Sequence, residues 1–287
     1  MIARAILAAL LVLVLGSACV SAAFLRPKST RVGFEARLAS SHDAQSAELI
    51  QLVNASGQAI GGLLYAEPDD QGTLMVSGGN GMGRLETAQY TRSLRGHGYR
   101  VLAFSFQGYD DNGGKARLDA LLGDSLAVHA AIRSRFPGEP VAYLASSIST
   151  VPALCLPSRA PDLAGVILEG TMNVRTIGFA WIGWIWQLWP LAPLTLPTAA
   201  LVGASVPREL RAVSCARHAG NVPALFLHHP DDAMTPYRSA RRLFDAYAGP
   251  KQFRELTAGN PRFHLLLAND SEGQASVVQA VQGWFAE

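Results

Sequence analysis

Apolar and polar positions along the chain change period repeatedly, and each change predicts a switch between strand and helix. Ala47 to Val53 and Ala59 to Tyr65 read as the first two strands, joined by the turn Asn54-Ala55-Ser56-Gly57. Gly72 to Ser77 and Tyr99 to Phe106 read as the next two. Leu118, Leu122, Leu126, Ile132 and Phe136 then recur near the 3.6-residue period of a helix. A short apolar strand, Pro140 to Leu144, leads into Ala145-Ser146-Ser147, and Ile148 to Leu156 is helix-prone. Strands at Leu163 to Leu168 and Pro223 to His228 follow. Beyond Pro236, the residues Ala240, Leu243, Phe244 and Tyr247 stand at i, i+3, i+4 and i+7 of a helix. Gln252 to Leu256 is the last strand, and Val277, Val281, Trp284 and Phe285 form the stripe of the last helix.

Fully apolar strands separated by helices imply an α/β protein, with a mostly parallel sheet covered on both faces. In such sheets ligands bind beyond the carboxyl ends of the strands, so the loops there are where chemistry is sought. One stretch departs from the pattern. Thr176 to Val206 carries no charge and holds Phe179, Trp181, Trp184, Trp186 and Trp189, then Pro190, Pro193 and Pro197. It lies between two strands expected to be sheet neighbours and reads as an inserted cap, spanning about residues 172–216. Such a cap is either a hydrophobic lid on the core or an acyl-binding or membrane-touching surface. Trp181, Trp184 and Trp186 are the substrate-binding candidates in the second reading. Thr176 to Trp189 lies between Arg175 and Pro190 and is too short to span a bilayer.

The N-terminus is patterned differently. Arg4 precedes an unbroken apolar run, Ala5 to Leu15, followed by Gly16, Ser17, Ala18 and Cys19. This is the layout of a secretory signal, taken as residues 1–25 and set apart from a single domain at 31–287. Three fates are open. Leu15 to Cys19 resembles a bacterial lipoprotein processing site with Cys19 as the lipidated residue; Val20 to Ala22 suits ordinary cleavage; and uncleaved Ala5 to Leu25 is long enough to anchor. In the last case Arg26, Lys28 and Arg31 would hold the domain on the cytoplasmic side. The lipoprotein reading makes this an exported protein of the cell envelope.

Composition changes this picture little. With 287 residues, 49% hydrophobic, the chain can build one large core. Its net charge is +2 and its cations are scattered, so no nucleic-acid partner is expected. Outside the signal only Cys155 and Cys215 remain, without metal-ligand spacing. The plain reading is two unpaired thiols; a Cys155–Cys215 disulfide is the alternative in an oxidising compartment. Nothing in the pattern fixes an oligomeric state.

The chemistry centres on Ser147. A serine between a buried strand and a helix is held out at the top of the sheet, with the helix N-terminus presenting amide donors beside it. The rival reading is an ordinary serine N-cap. Ala145 and Ser149 stand where the tight turn usually has glycine; both are small. Asp232 lies in the loop after the strand ending at His228, and His264 lies in the loop after the last strand. The order serine, aspartate, histidine is the one an α/β hydrolase needs. Asp231 is the rival acid, and His228 and His229 are rival bases. Asp110, Asp111 and Asp124 read as turn and cap residues.

On these residues the chain resembles the α/β-hydrolase superfamily, and more narrowly its branch of serine-aminopeptidase-like hydrolases and protein depalmitoylases. Ser77 to Gly83 looks like that branch's H-G-N-x-G loop. Phe104 to Gly114 resembles its D-Y-R-G-Y-G-x-S-x-G segment, and His228 to Pro236 its H-G-x-x-D-x-x-V-P. Gly78 replaces the family histidine, Gln107 an arginine and His229 a glycine, and the serine turn lacks both its glycines. The resemblance implies a Ser147–His264–Asp232 triad, an oxyanion hole from the backbone N–H groups of Asn80 and Ile148, and no metal or cofactor. The implied reaction cleaves esters or thioesters of apolar, lipid-like acyl groups. A peptidase or amidase on the same triad, and a non-catalytic binding protein that kept the fold, are the competing readings.

Overall fold

The computed structural model describes residues 31–175, 200, 203–204, 206–232, 234–258 and 266–286. The N-terminal segment read as a signal, with Cys19, the tryptophans of the stretch read as a cap, and His264 lie outside the described residues.

Eight strands form one sheet: β1 Glu48–Val53, β2 Ala59–Tyr65, β3 Thr73–Ser77, β4 Arg100–Phe104, β5 Val141–Ser146, β6 Gly165–Glu169, β7 Ala224–His228 and β8 Lys251–Glu255. Their order across the sheet is β1-β2-β4-β3-β5-β6-β7-β8. Strand β2 is antiparallel to both its neighbours, and from β4 to β8 every pairing is parallel. The sheet is therefore mostly parallel, as the apolar runs predict. The strands on either side of the uncharged stretch 176–206, β6 and β7, are neighbours as expected.

Strands β3, β5, β6 and β7 have no exposed residue, because helices cover both faces. Residues alternate along each strand, so each face gets its own core. On one face Met75, Tyr143, Val166, Leu168 and Phe226 pack with the helices α4 Leu121–Arg135, α5 Thr150–Cys155, α6 Ala212–Arg217 and α7 Tyr237–Ala246. On the other, Leu74, Val76, Leu144, Ile167 and Leu227 pack with α3 Arg84–Tyr90 and α8 Ser271–Ala286, through Leu85, Ala88, Val277 and Val281. Two helices precede the sheet, α1 Arg31–Ser40 and α2 His42–Gln45; Phe34 of α1 is fully buried.

The plain reading of the cysteines is corrected. Cys155, at the end of α5, and Cys215, in α6, are joined in a disulfide across 60 residues of sequence. Both side chains are buried where α5 and α6 pack, and that packing brings together residues the sequence keeps far apart. The bridge ties the helix that follows Ser147 to α6, the helix before β7.

A buried histidine in α4 makes stability depend on pH. His129 is buried, and its Nε2 lies 3.8 Å from Asp162. Burial lowers its pKa below 6.5; Asp162 opposes the shift and Arg133 adds to it. The folded protein thus resists a proton that the unfolded chain accepts. Stability is full above about pH 6.5 and falls as the pH drops below it. The urea midpoint should be lower at pH 5.5 than at pH 7.5, and His129→Gln should shrink that difference.

Candidate active site

The site is assembled at the carboxyl ends of β3, β5 and β7. After Ser146 the chain turns sharply into a 3-10 turn, Ser147–Ser149, and then into α5. Ser147 makes the turn with φ +58°, a left-handed conformation that costs a non-glycine residue about 1–2 kcal/mol. The surroundings enforce it. Thr150 Oγ1 donates to the Ser147 carbonyl at 2.5 Å, and Met172 N–H donates to Thr150 Oγ1 at 2.9 Å. Ser149 Oγ donates to the Gly78 carbonyl. The sequence reading treats Ser149 only as a small stand-in for glycine, yet its hydroxyl clamps the serine turn to the loop after β3.

That loop, Gly78–Gly83, stands against the nucleophile position because Ser77 pairs in register with Ala145. A Cβ built on Gly79 would lie 3.4 Å from Ser147 Cβ and 4.0 Å from its Oγ. A Cβ on Gly78 would come within 2.8 Å of Met82 and of Thr87 Oγ1. Met82 and Thr87 therefore fill the space that the family histidine would need, which accounts for glycine there. Asn80, the proposed oxyanion residue, accepts a hydrogen bond on Oδ1 from Tyr109 OH at 3.2 Å. Burial pushes the Tyr109 hydroxyl up to about 12, so it stays protonated and donates. Ile148, the other oxyanion candidate, is buried directly after Ser147.

Asp232 follows β7 by four residues, and its carboxylate is fully buried. Oδ1 accepts from Met234 N–H at 2.8 Å and from Thr235 N–H at 2.7 Å; Oδ2 accepts from Thr235 Oγ1 at 2.6 Å. Three donors are the environment an ionised carboxylate requires away from water. Asp231 is exposed, and its backbone N–H donates to His229 Nδ1 at 3.0 Å. His228 is buried: its Nε2 donates to the Thr235 carbonyl at 2.7 Å, lies 3.8 Å from Asp232 Oδ2, and its ring meets Tyr237 edge-on. The three acids read as turn and cap residues also have partners. Asp110 accepts from Arg84 N–H and Ser105 Oγ, Asp111 pairs with Arg84, and Asp124 accepts from Asn54 and the Gln107 N–H. Among the described residues, no three of His, Cys, Asp and Glu gather as a metal ion would need.

Sequence reasoning overlooks the contacts of Tyr109 and Ser149, which brace the loop after β3, and Glu169, a buried carboxylate ending β6. Only Glu169 left a signal, as a charged residue closing an otherwise apolar strand.

Sheet order, the strained serine after β5 and the loops after β3 and β7 together define the α/β-hydrolase fold. Comparison with solved structures agrees. The chain is similar to the esterase Pf2001 of Pyrococcus furiosus, with a TM-score of 0.68 and 13% identity over 91% of this chain and 98% of that one. It is also similar to the esterase domain of a Rhodothermus marinus protein, with a TM-score of 0.56 and 20% identity over 83% and 96%. Among curated proteins, it is 26% identical over 192 residues to lysophosphatidylserine lipase ABHD12 of Macaca fascicularis, and to the same extent to those of Rattus norvegicus and Mus musculus. That match covers 63% of this chain and 45% of the relative, so the chain spans under half the length of these curated relatives. No family model matches.

Proposed function

We propose that this protein is a serine hydrolase that cleaves carboxylic esters or thioesters with an apolar acyl part. The observation that carries the proposal is Ser147 at φ +58°, on the strand-to-helix turn and against a glycine loop. A strained backbone is retained at a serine when the strain serves its chemistry, here by aiming Oγ out of the sheet. This favours the catalytic reading over a binding protein that merely kept the fold.

In the proposed mechanism Ser147 Oγ attacks the acyl carbonyl carbon while His264 takes the hydroxyl proton. Asp232 orients His264 and stabilises its charged form. The carbonyl oxygen, now an oxyanion, is held by the N–H groups of Asn80 and Ile148, each worth about 3–4 kcal/mol to the transition state. Collapse breaks the bond to the alcohol or thiol, which leaves with the proton from His264. Water, deprotonated by His264, then attacks the acyl-enzyme, and the proton returns to Ser147.

The acyl preference rests on the uncharged, tryptophan-rich stretch 176–206 and on the lipase and esterase names of the similar proteins. The Cys155–Cys215 disulfide supports maturation in an oxidising compartment, in keeping with an N-terminal export signal. Among the described residues no helix is long and apolar enough to cross a membrane. Kinetics with p-nitrophenyl esters of increasing chain length, set beside aminoacyl-nitroanilides, test the substrate class. The expected result is ester turnover that improves with acyl length and little or no anilide cleavage; preferred anilide cleavage would transfer the triad to a peptidase.

A further inference from the structure

We infer that β1 is a self-association edge: it pairs antiparallel with β1 of a second copy of this chain, about a two-fold axis through Gln51, so that one sheet runs through both copies.

β1 and β8 are the two edges of the sheet. An edge strand offers unpaired N–H and C=O groups to any other strand, and proteins usually block it with charge, proline or a cover. β8 is blocked in this way: Lys251, Arg254 and Glu255 put a charge on three of its five residues. β1 is not. Its six residues carry a charge only at Glu48, which is paired with Arg135 of its own chain. Leu49 and Val53 are the exposed large apolar side chains among the described residues, at 55% and 66%. They share a face with Gln51, which is exposed too, whereas Ile50 and Leu52 on the other face pack against the core.

The hairpin fixes which backbone groups are free. Asn54 N–H donates to the Gln58 carbonyl at 2.9 Å, so Asn54 bonds across to the β2 side. Successive residues of an antiparallel strand turn their N–H and C=O groups to opposite sides. Ile50 and Leu52 therefore bond to β2, and the groups of Leu49, Gln51 and Val53 point out of the sheet. Gly61, opposite Gln51, has the same phase: its carbonyl accepts from Ser105 N–H, on the side away from β1. Among the described residues, nothing bonds to the outward groups of Leu49, Gln51 and Val53.

A second copy matches this edge. Residues directly opposite in an antiparallel pair share a face, so each outward residue must meet another outward residue. The register that sets Gln51 opposite the second copy's Gln51 pairs all three, with Leu49 against Val53 and Val53 against Leu49. Both exposed apolar side chains are then covered by apolar partners. Glu48 falls opposite Asn54 and not opposite another carboxylate. A foreign strand would have to carry its own apolar pair at this spacing; a second copy supplies it by symmetry. An interface built on six-residue strands is small, so the dimer forms reversibly, across the micromolar range.

The test is sedimentation velocity on the full chain, in mild detergent to cover the apolar run Ala5 to Leu15. Monomer should give way to dimer as concentration rises through the micromolar range. Val53→Lys should stay monomeric where the wild type is dimeric, with an unchanged unfolding midpoint because the side chain is exposed. Gln252→Lys, on the opposite edge, should associate like the wild type. Cross-linking reads the register. Dibromobimane, a short thiol-to-thiol bridge, should join Gln51→Cys to itself, since Cα atoms of a hydrogen-bonded pair stand about 5.5 Å apart. Leu49→Cys should not join to itself, because its two copies lie four residues, about 13 Å, apart along the strands; mixed with Val53→Cys it should link. Peptide mapping by mass spectrometry locates each link. A wild type that is monomeric throughout would overturn the inference and leave the edge to a strand of another protein. A dimer that survives Val53→Lys, or Leu49→Cys linking to itself more readily than Gln51→Cys, would overturn it by placing the interface or the register elsewhere.

Discussion

Ser147→Gly is expected to lose about 10⁶-fold in kcat and yet to melt at a higher temperature than the wild type. The loss follows from removing the nucleophile, after which only binding and the oxyanion donors remain. The gain follows from the backbone. Ser147 holds φ at +58°, where a Cβ costs about 1–2 kcal/mol and glycine pays nothing. Glycine's greater freedom in the unfolded chain returns roughly 0.5–1 kcal/mol of that. The balance is a stabilisation of about 0.5–1 kcal/mol, or a rise of about 2 °C in Tm for a domain of this size. Calorimetry beside ester kinetics reads both effects. A serine held only as a helix cap would give the reverse pattern, with intact turnover and reduced stability.

Asp232→Asn is expected to lower kcat about 10⁴-fold while the protein stays folded. An amide at this position keeps the oxygen that accepts from Met234 and Thr235, and the Thr235 hydroxyl can turn to accept from the new NH₂ group. Folding therefore loses little, about 1 kcal/mol. Catalysis loses the charge that stabilises an imidazolium and the acceptor that selects its tautomer. Asp231→Asn is the control: that side chain is exposed, and its loss should leave kcat within a few-fold. The reverse ranking would make Asp231 the acid.

How much of this was legible in the sequence depended on how local the determining forces are. Strands β3, β5, β6 and β7 are buried on both faces, so their apolar runs stand out between turn residues and place them to within one or two positions. Helix α3 was not legible. Its sequence, Arg84–Tyr90, spans only seven residues and mixes buried Arg84 and Thr87, held by hydrogen bonds, with Leu85 and Ala88, so its apolar stripe is too short to stand out. The loops that hold the candidate residues Ser147 and Asp232 were readable because chain order fixes which loop follows which strand. Long-range contacts were not. Ser149 bonds to a carbonyl 71 residues away, and Glu169 to an amide 98 residues away. The two missing glycines looked like decay from sequence alone. The structure keeps the strained turn with Ala145 and Ser149 in place, and one of the two substitutes holds the glycine loop after β3.

The central claim is that Ser147 is an activated nucleophile, and a fluorophosphonate probe tests it most directly. Wild-type protein should take up one equivalent of probe, located by mass spectrometry on the peptide containing Ser147, and folded Ser147→Ala should take up none. Folded wild type that remains unlabelled, or that carries the probe on another residue, would contradict the account.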